Sequence, residues 1–127
     1  MLLLKSPAEI YFEEADELLE KGDLIQASEK YYKAAEEAIK ILTITLELQS
    51  IIEKVKNEKE WSLEVLNEAS FELTNILGDF VLEAWKSATA LITVNLDKEI
   101  IKRYKEEIKK LVDEANIRFN SKIYSRG

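Results

Sequence analysis

The sequence predicts an all-α protein, an antiparallel up-and-down bundle of four to five helices that forms one domain over residues 1–127. Three observations support this fold class. The chain contains only three glycines and one proline. Its apolar residues recur at the three- and four-residue spacing of amphipathic helices. Charged residues make up 34% of the sequence, as expected for solvated helix faces. A domain of this length buries enough surface to fold without disulfides or a structural metal.

The first predicted helix runs from Ser6 to Gly22. Ser6 is suited to cap the helix, and Pro7 to occupy its first position, where the missing amide proton costs nothing. Apolar residues then recur on one face, and acidic residues fill most of the remainder. Gly22 can adopt the left-handed backbone conformation that ends a helix, and Asp23 can cap the next one.

The second predicted helix is the longest and runs without interruption from Leu24 to Val55. Two apolar series at seven-residue spacing, one starting at Leu24 and the other at Ala27, predict the seam of an antiparallel helix pair. Residues 39–52 are apolar on nearly all sides, and a helix of that kind is buried on every side. This half is therefore expected to be central in the fold or to contact a second subunit. The residues proposed for that contact are Ile39, Leu42, Ile44, Leu46 and Ile51.

The rest of the chain predicts two or three more helices. A charged connector covers residues 55–61, and Ser62 can cap the helix that follows it. Gly78 either ends that helix or kinks it, and the segment 95–97 breaks the helical pattern again. The last helix is expected to fray from Asn120 onward. The predicted inward residues of these helices are Leu66, Ala69, Leu73, Ile76, Leu77, Phe80, Ala84, Ala88, Leu91, Ile101, Tyr104, Ile108, Leu111 and Ala115.

The composition excludes several kinds of chemistry. The sequence contains no cysteine and no histidine. It therefore lacks the residues for disulfides, thiolate metal sites, cysteine nucleophiles and the usual general base near neutral pH. Glutamates are numerous, but no Glu-x-x-His pair is present to build a di-metal site between helices. We therefore predict no metal or other cofactor, and we predict that the protein is not an enzyme.

The charge of the chain is unevenly distributed. Residues 1–97 carry 9 basic and 20 acidic side chains, a net charge of −11, whereas residues 98–127 carry 9 basic and 5 acidic side chains, a net charge of +4. The acidic body disfavours nucleic acid, and we interpret the basic last helix as a solvated face. The apolar segment 39–52 is too short to span a membrane. These features predict a soluble, cytoplasmic protein with no membrane partner.

One surface combines aromatic rings with cations. Tyr32 and Lys33 are adjacent in the second helix, and Trp85 and Lys86 are adjacent further along the chain. A ring beside a cation suits stacking on a base or holding a phosphate. These four residues are the predicted ligand surface if the protein binds a nucleotide or RNA.

Two blocks of sequence resemble a known family. The first is the run 22–30, continued by Ala34-Ala35 and residues 38–40, and the second is the run 77–79, continued by residues 82–88 and Ala90-Leu91. Together they resemble the archaeal PaREP family, which is related to the HEPN superfamily, and the resemblance spans about residues 8–115. It implies a HEPN-like antiparallel bundle that commonly dimerises. It also implies a nucleotide ligand or a partner protein, for which a nucleotidyltransferase is one possibility.

The chain departs from this family at a position that matters for activity. Relatives often follow the Ala-Leu pair with a histidine, where this chain has Ile92 or Thr93. Catalytic HEPN proteins resemble ribonucleases that pair an arginine with a nearby histidine, and the arginines here have no histidine to pair with. Our leading hypothesis is a non-catalytic HEPN-like bundle that acts by association, as a homodimer or with a partner protein. The alternative is nucleotide or RNA binding at the aromatic and cationic surface.

Overall fold

A computed structural model describes residues 4–125 of the chain, and this part contains six α-helices and no strand. The helices are α1 (Pro7–Glu20), α2 (Leu24–Thr45), α3 (Gln49–Glu58), α4 (Leu63–Leu77), α5 (Asp79–Thr93) and α6 (Lys98–Ser125). The all-α prediction is confirmed. The predicted number of four to five helices is wrong, because the long second helix is divided and because Gly78 ends a helix instead of kinking it. The continuous helix α6 also extends past Asn120, where fraying was expected.

Side-chain caps begin four of the six described helices, three of them at the residues that the sequence predicts, Ser6, Asp23 and Ser62. The side-chain oxygens of Ser6, Asp23, Ser62 and Asp97 each accept a hydrogen bond from the backbone amide three residues later. These bonds satisfy amides that have no partner inside the first turn. Gly22 has a φ of 81°, the left-handed conformation expected after α1. The turn from α1 into α2 is therefore fixed by local sequence.

The second helix is divided at Glu47, where the sequence predicts continuity. Helix α2 ends at Thr45, and Glu47 has a φ of 54°. The Leu48 amide donates a hydrogen bond to the Thr43 carbonyl at 3.0 Å, which satisfies one of the last carbonyls of α2. Helix α3 then begins at Gln49 and runs through most of the predicted charged connector, to Glu58. The division allows α3 to pack against α4.

Gly78 is the boundary between α4 and α5. Its φ of 122° and ψ of 173° lie in a region that residues with a Cβ rarely adopt. The two helices lie side by side after this turn. Trp85 Nε1 in α5 donates a hydrogen bond to Asn67 Oδ1 in α4 at 2.8 Å. Gly78 therefore ends helix α4 and does not kink a continuous helix.

Helix α1 lies antiparallel to α6. Asp16, near the end of α1, accepts a hydrogen bond from Lys105 at 2.8 Å. Ser6, at the start of α1, donates its backbone amide to Asn116 Oδ1 at 2.9 Å. Residues near the start of α1 therefore contact residues late in α6, and residues near the end of α1 contact residues early in α6. Asp16 also contacts Tyr31 of α2, so the same region of α1 touches both helices.

Most of the predicted core residues are buried. Those confirmed in the second half of the chain are Leu66, Ala69, Leu73, Ala84, Ala88, Leu91, Ile101, Ile108, Leu111 and Ala115. Leu77, Phe80 and Tyr104 are half-buried at the edge of this core. The prediction for Ile76 is wrong, because its side chain is 53% exposed. Ile76 lies in the last turn of α4, just before the chain turns into α5.

Candidate functional site

The surface predicted for nucleotide binding is only partly assembled. The rings of Tyr32 and Trp85 lie close together, with centroids 5.6 Å apart. Trp85, however, is only 4% exposed, and its Nε1 donates to Asn67. Because the indole is covered and its polar atom is paired, it offers no free face on which a base could stack. Tyr32 is half-buried, and burial, followed by the nearby charge of Glu36, raises the pKa of its hydroxyl.

The two lysines of that predicted surface lie with other partners. Lys33 Nζ is 6.0 Å from the ring centroid of Tyr11, and Lys30 Nζ is 5.1 Å from the same ring. Lys86 Nζ is 3.9 Å from a carboxylate oxygen of Glu83, in an exposed pair along α5. The structure therefore brings Tyr32 together with Trp85, while Lys33 contacts a ring of α1.

The apolar face predicted for a second subunit lies mostly inside the molecule. Ile39 and Leu42 are fully buried, and Ile51 is 1% exposed. Helices α4, α5 and α6 all pack against α2. Leu46 is half-buried, and only Ile44, at 54% exposure, presents a large apolar surface to solvent. For Ile39, Leu42 and Ile51 the structure thus agrees with the first of the two alternatives, a central position.

A cleft that the sequence analysis missed lies between two sets of helix ends. Its volume is about 880 Å³. One wall is the α1–α2 turn with the first turns of α2, and the other is the end of α5 with the segment that leads to α6. The lining residues are residues 22–25, Ser28 and Glu29 on the first wall and residues 91–96 on the second.

Local sequence shapes both walls of the cleft. Gly22 and Asp23 form the turn on the first wall, the glycine through its positive φ and the aspartate through its cap of α2. On the second wall α5 ends at Thr93, and Val94 continues in an extended conformation with φ −137° and ψ 155°. Asp97 then caps α6. Because each wall contains a helix terminus, backbone groups and short polar side chains lie beside aliphatic ones.

Three exposed aliphatic side chains surround the cleft. Ile25 is 68% exposed, Val94 is 55% exposed and Ile92 is 44% exposed. Single exposed aliphatic residues are common, but a group of them around one concave surface is typical of a binding site.

The polar groups of the cleft are acidic or neutral. Asp23 and Glu29 contribute carboxylates, and among the described residues that line the cleft none carries a positive charge. Glu29 forms no ion pair within residues 4–125. Helix α5 has no basic residue in its last turn, so the negative end of its dipole is uncompensated at the second wall.

Ser28 is a further polar group at the cleft. The residue is only 8% exposed, and its hydroxyl has no hydrogen-bond partner in the described part of the chain. The hydroxyl oxygen itself is open to the cleft, because none of the buried side-chain oxygens and nitrogens among the described residues is without a partner. Thr93 differs from it, because its hydroxyl donates to the Thr89 and Ala90 carbonyls of its own helix. Nowhere in residues 4–125 are three or more acidic side chains arranged to hold a metal ion.

Comparison with known proteins assigns the chain to a family. The sequence profile of the archaeal PaREP1/PaREP8 family matches residues 3–112. The chain belongs to this family. The resemblance predicted from the two sequence blocks is therefore confirmed at the level of the PaREP family, and the helical structure is compatible with the broader HEPN relationship.

Solved structures of another protein are similar to this family member over most of its length. The crystal structure of a Sulfolobus solfataricus protein is 43% identical, with a TM-score of 0.87 over 91% of this chain and 98% of the other. A solution structure of the same structural-genomics target is 44% identical, with a TM-score of 0.78 over 88% and 90% of the two chains. A search of curated proteins found no significant match.

The two blocks that indicated the PaREP family meet at the cleft. The run that begins at Gly22 forms the first wall, and the second block ends at Leu91 on the opposite wall. Ile92 and Thr93, one of which occupies the position at which the family resemblance implies a histidine, both line the cleft. None of the helices described between residues 4 and 125 is long and apolar enough to span a membrane.

Proposed function

We propose that this PaREP-family protein is a non-catalytic association module that binds another polypeptide in the cleft. The observation that carries the proposal is the exposure of Ile25, Ile92 and Val94 around one concave surface. In this proposal the six helices form a HEPN-like antiparallel bundle in the cytoplasm, and the bundle serves to hold the two walls of the cleft in place.

The apolar contribution to such an interaction is modest. Full burial of an aliphatic side chain stabilises by about 1.5–3 kcal/mol. The exposed fractions of 68%, 55% and 44% for Ile25, Val94 and Ile92 therefore correspond to about 3–5 kcal/mol in total. Association costs at least about 4 kcal/mol in lost translational and rotational freedom. The aliphatic residues can thus anchor a partner, while polar contacts must supply most of the net affinity.

The charge of the cleft favours a different protein over a second copy of this chain. A symmetric dimer joined at this cleft would bring Asp23 and Glu29 of one copy towards the same residues of the other. Like charges that face each other across an interface are unfavourable. The predicted homodimer is therefore the less favoured form of association at this surface.

The nucleotide alternative has weaker support than association. A phosphate in the cleft would meet Asp23 and Glu29 without a facing cation among the described lining residues. At the predicted aromatic surface the indole of Trp85 is covered. Lys30 and Lys33 around Tyr11 are the remaining aromatic and cationic group, and Lys30 is already paired with Glu14 at 3.3 Å.

The proposal is tested by making the aliphatic rim of the cleft (Ile25, Ile92 and Val94) polar and measuring whether a partner protein binds less tightly. Purified wild-type protein and the Ile25→Ser/Ile92→Ser variant would be used to capture proteins from the source organism, and each captured protein would then be purified and titrated by calorimetry. We expect binding at least about tenfold weaker for the variant, because each replacement removes on the order of 1 kcal/mol of apolar contact. Ile76→Ser is the matched control, since Ile76 is 53% exposed, lies outside the cleft and is not part of the proposed contact face.

Two results would change the proposal. A purified partner that binds the wild type and the double variant equally would show that the cleft is not the contact surface. Light scattering on the purified chain tests the other form of association, a homodimer. A wild-type dimer that dissociates with Ile25→Ser/Ile92→Ser would identify the partner as a second copy.

A further inference from the structure

We propose that the segment bound in the cleft is cationic, with a lysine or arginine flanked by aliphatic side chains. This inference rests on the proposed function, that the cleft binds a polypeptide, and it adds the chemistry of the partner. It depends on three features of the cleft: its charge, a hydroxyl that is open to the cleft, and the position of the aliphatic rim.

The first feature is a negative potential without a compensating cation. The carboxylate of Glu29 is exposed and unpaired within the described residues, and Asp23 uses Oδ1 to cap α2. The carboxyl end of α5 beside Val94 carries a partial negative charge, and the amino-terminal end of α2, which Asp23 caps, carries the opposite partial charge on the first wall. The exposed carboxylate of Glu29 is therefore the main source of negative potential. A bound ammonium or guanidinium group would be attracted chiefly by Glu29, and Asp23 adds a second carboxylate to the same wall.

The second feature is Ser28. The residue is 8% exposed, and its hydroxyl has no partner in residues 4–125. Because none of the buried side-chain oxygens or nitrogens in these residues lacks a partner, the Ser28 oxygen is open to the solvent of the cleft and free to bond to a ligand. A serine hydroxyl can donate one hydrogen bond and accept others, so it suits the amide or carbonyl of a bound peptide backbone. Ser28 is one helical turn from Leu24 and adjacent to Glu29, which places it between the turn and the acidic group.

The third feature is the pairing of charge with apolar surface. Ile25 lies on the same wall as Glu29, and Ile92 and Val94 lie on the opposite wall. A lysine that reaches the carboxylates would lay its methylene chain along these side chains. Its aliphatic neighbours would cover the rim. Neither an acidic segment nor a purely apolar one satisfies all three features.

Three small peptides serve as probes. They are acetyl-leucyl-lysyl-leucinamide and the two analogues in which glutamine or glutamate replaces the lysine. Each would be titrated into ¹⁵N-labelled protein, to about 10 mM because affinities of this order are expected for short peptides. We expect shifts in the amides of Ile25, Ser28 and Val94. We also expect the lysine peptide to bind at least about tenfold more tightly than the glutamate peptide in low salt, with a smaller ratio in high salt.

Variants separate the contributions. Glu29→Gln should reduce the preference for lysine over glutamate to about threefold or less, because one of the two carboxylates is lost. Glu53→Gln, an exposed carboxylate on α3 outside the cleft, should leave the preference unchanged. Ser28→Ala should weaken all three peptides by a similar factor, because its hydroxyl contacts the backbone. The amide spectrum of each variant reports whether it is folded.

The outcomes distinguish this inference from the proposed function. Equal affinity for the three peptides at the cleft overturns the cationic partner and leaves association in place. No shift at the cleft with any peptide, for a protein whose captured partner depends on Ile25 and Ile92, also overturns it. If no peptide binds at the cleft and partner binding does not depend on Ile25 and Ile92, the proposed function itself is wrong.

Discussion

Asp16, Tyr31 and Lys105 join three helices at one point of the core. The Tyr31 hydroxyl donates a hydrogen bond to Asp16 Oδ1 at 2.5 Å, and Lys105 Nζ donates to the same oxygen at 2.8 Å. The ring of Tyr31 is fully buried and packs edge-on against Phe12, with centroids 5.2 Å apart. The Tyr31→Phe substitution keeps this packing and removes only the hydroxyl, so it isolates one hydrogen bond.

The expected cost of Tyr31→Phe follows from the surroundings of Asp16. A hydrogen bond to a charged group contributes about 1.5–3 kcal/mol to stability. The Asp16 side chain is 40% exposed and keeps its bond to Lys105, so water can replace part of what is lost. We therefore expect a decrease in the free energy of unfolding of about 1–2 kcal/mol, or a fall of about 5 °C in melting temperature.

Urea unfolding followed by circular dichroism at pH 7 measures this change. Tyr104→Phe is the matched control, because Tyr104 is half-buried and its hydroxyl has no hydrogen-bond partner within residues 4–125. The control should change stability by less than about 0.5 kcal/mol. If Tyr31→Phe costs no more than Tyr104→Phe, the bond between Tyr31 and Asp16 does not stabilise the fold and the reasoning is wrong.

The same bond predicts a dependence on pH. Burial, together with the hydrogen bond and charge of Asp16, raises the pKa of Tyr31 far above its ordinary value of 10.0. In the unfolded chain the hydroxyl ionises near pH 10, whereas the folded protein retains the proton. The contribution of Tyr31 to stability is therefore complete below pH 10 and is lost as the pH rises further, by up to about 1.4 kcal/mol per pH unit. Unfolding measured between pH 9 and pH 11 should show a shallower decline in Tyr31→Phe than in Tyr104→Phe.

Two further predictions concern the backbone and the amino-terminal segment. Lys59 ends α3 with a φ of 60°, so Lys59→Gly should raise the free energy of unfolding by about 0.5–1 kcal/mol, whereas Lys56→Gly inside the helix should lower it by about 1 kcal/mol. A loss of stability in both variants would contradict the strain at Lys59. Asn120 exchanges two hydrogen bonds with the backbone of Leu4, so Asn120→Ala should speed hydrogen exchange of the Leu4 amide by about tenfold or more. Asn75→Ala, at an exposed position, is the control. If the Leu4 amide exchanges equally fast in both variants, Asn120 does not hold the amino-terminal segment in place.

The sequence predicts helix starts and buried faces well because both depend on nearby residues. Ser6, Asp23 and Ser62 cap helices through bonds that span three residues, so each signal is complete within one turn. The break at Glu47 has no such signal. Residues 46–48 contain no glycine, proline or asparagine, and a left-handed glutamate is uncommon. The apolar periodicity continues across the turn because both α2 and α3 face the same core.

The predicted aromatic and cationic surface fails for a geometric reason. Consecutive residues on an α-helix point about 100° apart, so a side chain next to an exposed lysine is readily buried. Lys86 is exposed, and its neighbour Trp85 is 4% exposed. Adjacent positions in sequence therefore did not make one surface. The cleft shows the converse, because its two walls are far apart in the chain and only the packing of α2 against α5 brings them together. The available signals were Ile25 and Val94, which are aliphatic residues beside helix ends and outside the predicted seam.

The position at which the family resemblance implies a histidine holds an aliphatic or a hydroxyl side chain in this chain. One alignment places Ile92 there, an exposed aliphatic side chain on the rim of the cleft. The other places Thr93, whose hydroxyl already donates to the Thr89 and Ala90 carbonyls. Neither side chain exchanges a proton near neutral pH. Either alignment thus leaves a position on the cleft wall that contributes contact area or helix stability. An interacting segment that meets an aliphatic rim, a serine hydroxyl open to the cleft and two carboxylates is the occupant that this combination favours.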